Sequence, residues 1–344
     1  MDENLNDARG ELANTPAESS NLPFHFNGSG SEYFRIWIVN ILLSFVTLGI
    51  YSAWAKVRTN RYLYGNTHVA DGTFNYHAKP LTILRGRIIA VVLLLIYTVA
   101  IELLPILGLL LALMMFIAIP FVVVRALRFN ANMSSWRNVR FNFVGEAGGA
   151  FGAYIGWPIL GMFSLGFALP FAWFKQAEFG VDNHQLGSTP FKLSAAPKDF
   201  YILALILFVY AIAVMTLFAM LTSTLGEESL VLIPLLLLAY FMGFSLFSAL
   251  RFQLIYNNLQ LGENVINNKL NVGSYLIIAI TNGFFMALTL GLYYPWAKIR
   301  ITNYLIESLR LHAVNVDEFV NEATTQQSAF GEEFGEAFDL GIGV

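Results

Sequence analysis

The amino-acid sequence predicts an all-α polytopic membrane protein. Of its 344 residues 56% are hydrophobic and only 12% are charged, with a mean hydropathy of +0.59. Soluble domains carry roughly 25% charged residues, so this much apolar surface cannot be buried in one water-soluble fold. The composition therefore argues against an ordinary soluble enzyme and against a nucleic-acid-binding protein. Long apolar runs and an internal repeat support the same fold class.

The apolar runs predict about seven helices. A run of roughly 18 apolar residues is long enough to cross a bilayer as a helix. Glu102 is the one charge in the second run, and the pair Glu227 and Glu228 would form a short turn in the fourth. The predicted helices are 34–54, two within 88–124, 151–173, two within 200–250, and 275–296.

Short β-hairpins are expected at the membrane surface between these helices. Residues 62–78 alternate around Asp71-Gly72, residues 139–143 alternate apolar with polar, and a similar alternation follows Gly187. Alternation with a period of two around a glycine turn is typical of a β-hairpin.

A sequence motif recurs along the chain. Residues 47–51 (TLGIY) and 54–58 (WAKVR) return 242 positions later as TLGLY and WAKIR, without a gap. A weaker middle copy matches at an offset of 117, and its Trp173 and Lys175 then match Trp54 and Lys56 at 119. The repeat predicts two full units and a truncated third. The predicted divisions are an acidic tail at 1–22, repeat units at 23–140, 141–264 and 265–310, and a second acidic tail at 311–344.

Each copy of the motif resembles a membrane-exit segment, because tryptophan prefers the headgroup region and the following cations reach water. The predicted anchors are Trp54, Lys56, Arg58, Trp173, Lys175, Trp296, Lys298 and Arg300.

Asparagine and threonine precede Trp54 and Trp296 at spacings of seven, which would place them on one stripe of a helix. This candidate polar seam consists of Asn40, Thr47, Asn282 and Thr289. Two interpretations remain open: helix packing with an interface anchor, or a polar line between repeats.

Two topologies are also open for the three segments that carry the TLGxY-type motif. If they span, the bases are divided between both faces of the membrane. If they are re-entrant, all 20 bases lie on one face, which obeys the positive-inside rule better. A cysteine introduced at Gly187 would separate the two.

Charge distribution suggests the location and partners. Residues 33–300 hold 18 bases and 9 acids, whereas both chain ends are acidic. We therefore expect the basic loops to be cytoplasmic and to contact anionic lipids. Phe330, Phe334 and Phe338 make the C-terminal tail a candidate for binding a protein partner. No nucleic-acid partner is expected.

Several segments carry a family resemblance. They are 24–30 (FHFNGSG), Tyr33-Phe34, Asn40, the first TLGxY and WAK motifs, 61–64 (RYLY), Leu127-Arg128, the strand at 138–143 and Leu250-Arg251. The chain resembles the YjgN family of multi-pass bacterial inner-membrane proteins over most of its length. That resemblance implies an inner-membrane location and supplies no catalytic or binding residues.

Three function classes follow. A non-catalytic membrane scaffold or lipid-organising protein is favoured, because no line of buried charge is present. A small-solute transporter or channel along the candidate polar seam is the alternative. A membrane enzyme is least favoured, since no acid–base or metal motif is visible and the chain has no cysteine. No cofactor or metal is implied.

Overall fold

The computed structural model describes residues 20–226 and 231–313, which form helical hairpins projecting from one sheet. Four helices of this described part are long and apolar enough to cross a bilayer, so the chain is a helical membrane protein. The expectation of seven apolar helices is corrected. Segments 34–54, 151–173 and 275–296 are not single helices, because a turn interrupts each of them.

In the described residues ten helical stretches pair into five hairpins, which we number in chain order. The first, third and fifth are the short hairpins, and the second and fourth are the long hairpins. The first is α1 (Gly30–Val46) and α2 (Ser52–Gly65), and the second is α3 (Pro80–Leu103) and α4 (Pro105–Asn132). The third is α5 (Ala147–Phe151), a π-helix (Gly152–Gly156) and α6 (Trp157–Phe163), followed by α7 (Leu169–Asp182). The fourth is α8 (Pro197–Leu225) and α9 (Ile233–Tyr256), and the fifth is α10 (Val272–Leu288) and α11 (Tyr294–Glu307).

Within 20–226 and 231–313, eleven short strands link the hairpins in a single sheet, where separate surface hairpins were expected. They are β1 (Ser20–Pro23), β2 (His25–Phe26), β3 (Thr67–Val69), β4 (Gly72–Tyr76), β5 (Ser134–Trp136), β6 (Val139–Phe143), β7 (His184–Leu186), β8 (Thr189–Leu193), β9 (Leu259–Leu261), β10 (Asn264–Asn268) and β11 (Leu309–Ala313). Their spatial order is β1-β11-β10-β9-β8-β7-β6-β5-β4-β3-β2. The two edge strands are β1 and β2, which are separated in the chain only by Phe24, so the sheet nearly closes into a barrel.

The same backbone hydrogen bond closes the base of every hairpin. In each case the residue that leads into the first helix donates to the residue that follows the second helix. The five N–H to carbonyl pairs are Asn27 to Asn66 (2.9 Å), His77 to Met133 (2.7 Å), Val144 to Asn183 (2.9 Å), Ser194 to Asn258 (2.8 Å) and Lys269 to Ser308 (2.8 Å). Each hairpin therefore leaves the sheet and returns to it, and the sequence offsets of 117 and 242 relate the first hairpin to the third and the fifth.

The apolar face of the sheet forms the main core. Phe24, which lies between β1 and β2, occupies a position equivalent to those of Phe74, Phe141 and Phe191 in their strands, and Ile266 takes the fifth. Consecutive phenylalanine rings lie 6.2–6.5 Å apart between centroids, with interplanar angles of 12–23°. One apolar side chain from each hairpin base thus fills the inside of the barrel.

Part of each expected acidic tail belongs to the sheet. Strands β1 and β11 include residues 20–22 and 311–313, which the sequence placed in the acidic tails, because their backbone pairs at the edge of the sheet. The rest of both tails, including the three C-terminal phenylalanines, lies outside the described residues, as do Glu227 and Glu228.

Candidate membrane interface

The TLGxY motif is the turn at the tip of a short hairpin. Thr47 ends α1: its hydroxyl donates to the carbonyl of Leu43 (2.7 Å) and accepts from the N–H of Tyr51 (2.9 Å). Leu48 and Gly49 follow in the left-handed region, with φ of 48° and 89°. This geometry reverses the chain, since a left-handed glycine after a helix satisfies its last carbonyls.

The same turn recurs in the other two short hairpins. Thr289 makes the corresponding bonds at 2.7 and 3.0 Å, and the Ser164 hydroxyl takes this role in the third hairpin at 3.0 and 2.8 Å. The left-handed pairs are Leu290-Gly291 and Leu165-Gly166. The prediction that asparagine, threonine and tryptophan share one helical stripe is therefore wrong, because the helix ends just before the threonine.

The tips of the short hairpins are apolar and exposed. At the equivalent position Leu48 is 95%, Leu165 is 90% and Leu290 is 94% exposed. Phe45 and Phe163 beside them are also exposed. In water these side chains would form three hydrophobic patches, which soluble surfaces avoid, so the tips are suited to contact lipid.

The asparagines of the candidate polar seam bind within their own hairpins. The Asn40 amide donates to the Ala55 carbonyl at 3.5 Å, and the Asn282 amide donates to the Ala297 carbonyl at 3.3 Å. Both side chains are buried, at 5% and 1% exposure. The structure thus does not bring Asn40, Thr47, Asn282 and Thr289 into one line between hairpins.

The first and fifth hairpins have matching anchors. Tyr51 stacks on Trp54 with ring centroids 6.1 Å apart, and Tyr293 stacks on Trp296 at 5.9 Å. Both tryptophans lie one turn after the tip, at the start of the returning helix. Lys56 and Lys298 lie two residues beyond them.

The third hairpin departs from the sequence alignment. Helix α7 starts and ends 117 residues after α2, so Trp54 corresponds to Phe171 and the two-residue shift is absent. Trp173 instead packs on Phe247 of α9, with centroids 5.1 Å apart. Lys175 pairs with Glu178 at 2.6 Å.

Cations are confined to the sheet side of the described chain. Each of its 19 lysines and arginines lies in the sheet region or within nine residues of the sheet-side end of its helix. Glu102 lies at the opposite end of α3. The lysines and arginines that lie five to nine residues from the sheet-side end of a helix are about 8–14 Å from that end. We call eight of these the cation belt: Arg35, Lys56, Arg58, Arg85, Arg87, Arg125, Lys298 and Arg300.

Helix lengths relate the belt to the tips. Val46 ends α1 about 24 Å from its base, which is roughly 10–15 Å beyond the belt and about half of a 30 Å hydrocarbon core. From Arg87 to Leu103, α3 extends about 24 Å beyond the belt, which is close to a full crossing.

Two equivalent contacts join helix ends to strands at the base of the first and second hairpins. Arg61 donates to the carbonyls of Tyr76 and Ala78, and Arg128 donates to those of Phe143 and Gly145, at 3.1–3.4 Å. These two arginines are therefore structural, and their guanidinium groups fix the angle between helix and sheet.

One histidine at the base of the second hairpin has a perturbed pKa. His77 Nε2 lies 2.8 Å from the Ser135 hydroxyl. Burial lowers the pKa of His77, and the positive charges of Arg140 and Arg61 lower it further. Among the described residues no group of three or more histidines or carboxylates could hold a metal ion.

Sequence reasoning missed the aromatic lining of the barrel. Its signal was present: Phe24, Phe74, Phe141 and Phe191 each stand two residues before a second buried side chain of the same strand or strand pair. The repeat offset of 117 relates Phe24 to Phe141 and Phe74 to Phe191. The two pairs stand at the bases of different kinds of hairpin, because short and long hairpins alternate, so the offset alone does not join them into one lining.

Comparison with known proteins adds a family. A family model described as "Bacterial protein of unknown function (DUF898)" matches residues 21–337. Inner membrane protein YjgN of Escherichia coli O157:H7 is 35% identical over 122 residues, which are 35% of this chain and 30% of that protein. The YjgN proteins of Escherichia coli K12 (35% over 127 residues; 35% and 30% covered) and Salmonella typhimurium LT2 (37% over 132; 37% and 32%) are similar. The match spans about a third of the length of these relatives. No solved structure matches.

Proposed function

Since the chain belongs to this family of bacterial proteins of unknown function, we propose its function from the geometry of the membrane interface. The protein is a lipid-organising scaffold of the bacterial inner membrane. The long hairpins cross the bilayer four times, while the short hairpins enter the leaflet next to the sheet and return. The observation that carries this proposal is the exposure of Leu48, Leu165 and Leu290 at three equivalent tips.

Charge supports the orientation. All the described cations lie towards the sheet, and the positive-inside rule places such a face in the cytoplasm. The sheet, with its basic loops, then lies on the cytoplasmic side, and the cation belt meets the anionic headgroups of that leaflet. The names of the relatives support the inner membrane as the location.

The filled barrel favours a scaffold over a channel. An aqueous path along the barrel would have to pass Phe24, Phe74, Phe141, Phe191 and Ile266, which pack together in one apolar core. The asparagines of the candidate polar seam donate to backbone carbonyls within their own hairpins.

The test measures how much lipid the protein immobilises. In proteoliposomes with chain-labelled phospholipid, electron spin resonance counts the motionally restricted lipids per protein. We expect the triple variant Leu48→Asn, Leu165→Asn, Leu290→Asn to restrict fewer lipids than the natural chain, because polar tips withdraw from the acyl region. Leu104→Asn, at the far end of a long hairpin, is the control and should change the count little.

Two results would contradict the scaffold. An unchanged lipid count in the triple variant would show that the tips do not order lipid. Passage of small solutes through proteoliposomes, together with rapid modification of Phe141→Cys by a water-soluble thiol reagent, would instead support the transporter.

A further inference from the structure

A cavity lies where the fifth hairpin meets the first. Its volume is about 390 Å³, which falls in the range of roughly 300–1,000 Å³ typical of ligand pockets. Gly28 and Gly30 at the start of α1 form one wall. Trp296, Arg300 and Glu307 of α11 line the other. The cavity therefore extends from Glu307 at the sheet end of α11 to Arg300 at the level of the cation belt.

Three of the other four junctions between neighbouring described hairpins are filled by a long side chain. This side chain comes from five residues before the acceptor of one hairpin's base hydrogen bond. It donates to the carbonyl of the residue after the next hairpin's base donor. The three donor–acceptor pairs are Arg61 to Ala78 (3.4 Å), Arg128 to Gly145 (3.1 Å) and Gln253 to Leu270 (3.5 Å).

The fifth hairpin has the shorter Asn303 at that position. Its amide nitrogen, turned towards its acceptors, donates to the Phe26 carbonyl (3.3 Å) and to Oε1 of Glu307 (3.1 Å). It does not serve Gly28, whose carbonyl is the equivalent of the three acceptors above. No described group donates to the Gly28 carbonyl, so the cavity has an acceptor where the first and second hairpins bring an arginine.

Glu307 adds a negative charge to the same end of the cavity. Its side chain is exposed, and no described lysine or arginine lies within ion-pair distance of its carboxylate. It also ends α11, where the helix dipole disfavours an acid. A carboxylate without a cation beside a carbonyl without a donor suits a primary ammonium, because its three N–H groups can donate to both.

Arg300 supplies a positive charge nearer the tip. Its bonds to Thr281 and Asn282 both use Nη1, so Nη2 and Nε have no acceptor among the described residues. Seven residues separate Arg300 from Glu307, about 10 Å along the helix, which a phosphoethanolamine group bridges together with the hydrogen bonds at its two ends. The order of the charges also fits, because the ammonium of such a lipid follows its phosphate on the side away from the acyl chains.

We propose that this cavity binds the headgroup of phosphatidylethanolamine. The ammonium donates to the Gly28 carbonyl and the Glu307 carboxylate, and the phosphate accepts from Arg300. The lipid ammonium thus takes the place that an arginine side chain occupies at the base of the first and second hairpins. The site rests on the proposed function, which places the cation belt at the headgroups of the cytoplasmic leaflet.

The experiment compares headgroups and matched acids in the full-length protein. Native mass spectrometry of the detergent-solubilised protein gives the dissociation constant of the first bound lipid, for dioleoyl phosphatidylethanolamine and for dioleoyl phosphatidylcholine, whose trimethylammonium cannot donate. We expect the natural chain to bind phosphatidylethanolamine about tenfold more tightly, the difference typical of a charged hydrogen bond. Glu307→Gln should remove most of this preference. Glu146→Gln should keep it, because Glu146 is an exposed acid at the base of the third hairpin, where Arg128 fills the junction.

Restoring the arginine tests the site without weakening the fold. In Asn303→Arg the guanidinium should donate to the Gly28 carbonyl and pair with Glu307, since Arg61 fills the equivalent place at the first hairpin. We expect the thermal midpoint to stay unchanged or rise, while the preference for phosphatidylethanolamine is lost. An unaltered preference at such a midpoint would overturn the site, and so would equal affinities for the two lipids in the natural chain.

Competition tests the source of the ammonium. Glycerophosphoethanolamine carries the same headgroup without acyl chains. Bound phosphatidylethanolamine should persist at an equal concentration of this competitor, because the lipid chains add contacts with the apolar helices. Displacement would assign the cavity to a soluble amine and overturn the lipid assignment.

Failure here is distinguishable from failure of the proposed function. The triple tip variant keeps the cavity, and the variants at residues 303 and 307 keep all three apolar tips. A reduced restricted-lipid count in the tip variant, with equal affinities for the two lipids in the natural chain, removes the site alone. An unchanged count in the tip variant removes the scaffold.

Discussion

Short and long hairpins share one base and differ at their tips. Each leaves the sheet beside the same backbone hydrogen bond, at 2.7–2.9 Å in all five. In the short hairpins α1 and α10 are 17 residues long and end at a left-handed Leu-Gly pair. In the second hairpin α3 is 24 residues long and the returning helix α4 is 28 residues long. The base therefore sets where a hairpin enters the bilayer, and the position of the turn decides how far it goes.

The largest expected effect comes from charging a tip. Leu48→Asp should lower the free energy of unfolding in lipid bicelles by about 2.5–3.5 kcal/mol, the cost of an acid deep in a bilayer. Leu104→Asp, at the far end of a long hairpin, should cost much less.

The sign of that effect is decisive. Leu48 has a φ of 48°, and aspartate tolerates the left-handed region better than leucine. A tip in water would therefore be stabilised by Leu48→Asp, and stabilisation would refute insertion of the short hairpins.

The second effect contrasts the buried asparagines. Asn282→Ala should cost about 2 kcal/mol, since it removes a donor to Ala297 and one of the two side-chain acceptors of Arg300. Asn40→Ala should cost less, because Oδ1 of Asn40 is already unpaired. Equal losses in chemical unfolding would contradict the difference between the two hairpins.

A third, smaller effect tests the turn. Gly49→Ala should destabilise by about 1–2 kcal/mol, because φ of 89° is strained for any residue with a Cβ. Gly86→Ala lies in the long helix α3, where an added Cβ meets open space, and should stabilise by up to about 1 kcal/mol. Thermal unfolding of the pair measures both, and two changes of the same sign would contradict this account of the turn.

The smallest effect concerns pH. Because the pKa of His77 is lowered from 6.5 in the folded chain, the folded state binds this proton less tightly than the unfolded one. Its contribution to stability is present above pH 6.5 and is lost as pH falls through the folded pKa. His77→Gln should make the thermal midpoint less sensitive to pH between neutrality and about pH 5; an unchanged dependence would exclude this histidine.

The sequence predicted the membrane class and the approximate extent of the apolar segments, because these depend on composition and run length. It did not decide between spanning and re-entrant segments, since Thr47-Leu48-Gly49 is as compatible with the interior of a membrane helix as with a turn. The left-handed conformation of Leu48 carries no sequence signal, because leucine disfavours it.

The single sheet and the positions of the site residues were still harder to predict from the sequence. Pairing of β1 with β11 joins residues about 290 positions apart, and nothing local specifies it. Likewise Trp173 matches Trp54 in residue type. The bounds of α7, however, make Phe171 the equivalent of Trp54, and Trp173 lies two residues further along the helix.

The most direct test of the central claim is the depth of the tips. The chain has no cysteine, so spin labels at Leu48→Cys, Leu290→Cys and Leu104→Cys can each be read alone in liposomes, by relaxation with oxygen and with a water-soluble nickel chelate. The account predicts that residues 48 and 290 lie near the middle of the bilayer and residue 104 near the headgroups opposite the sheet. Labels at 48 and 290 that reach those same far headgroups would show that the short segments span, and would contradict it.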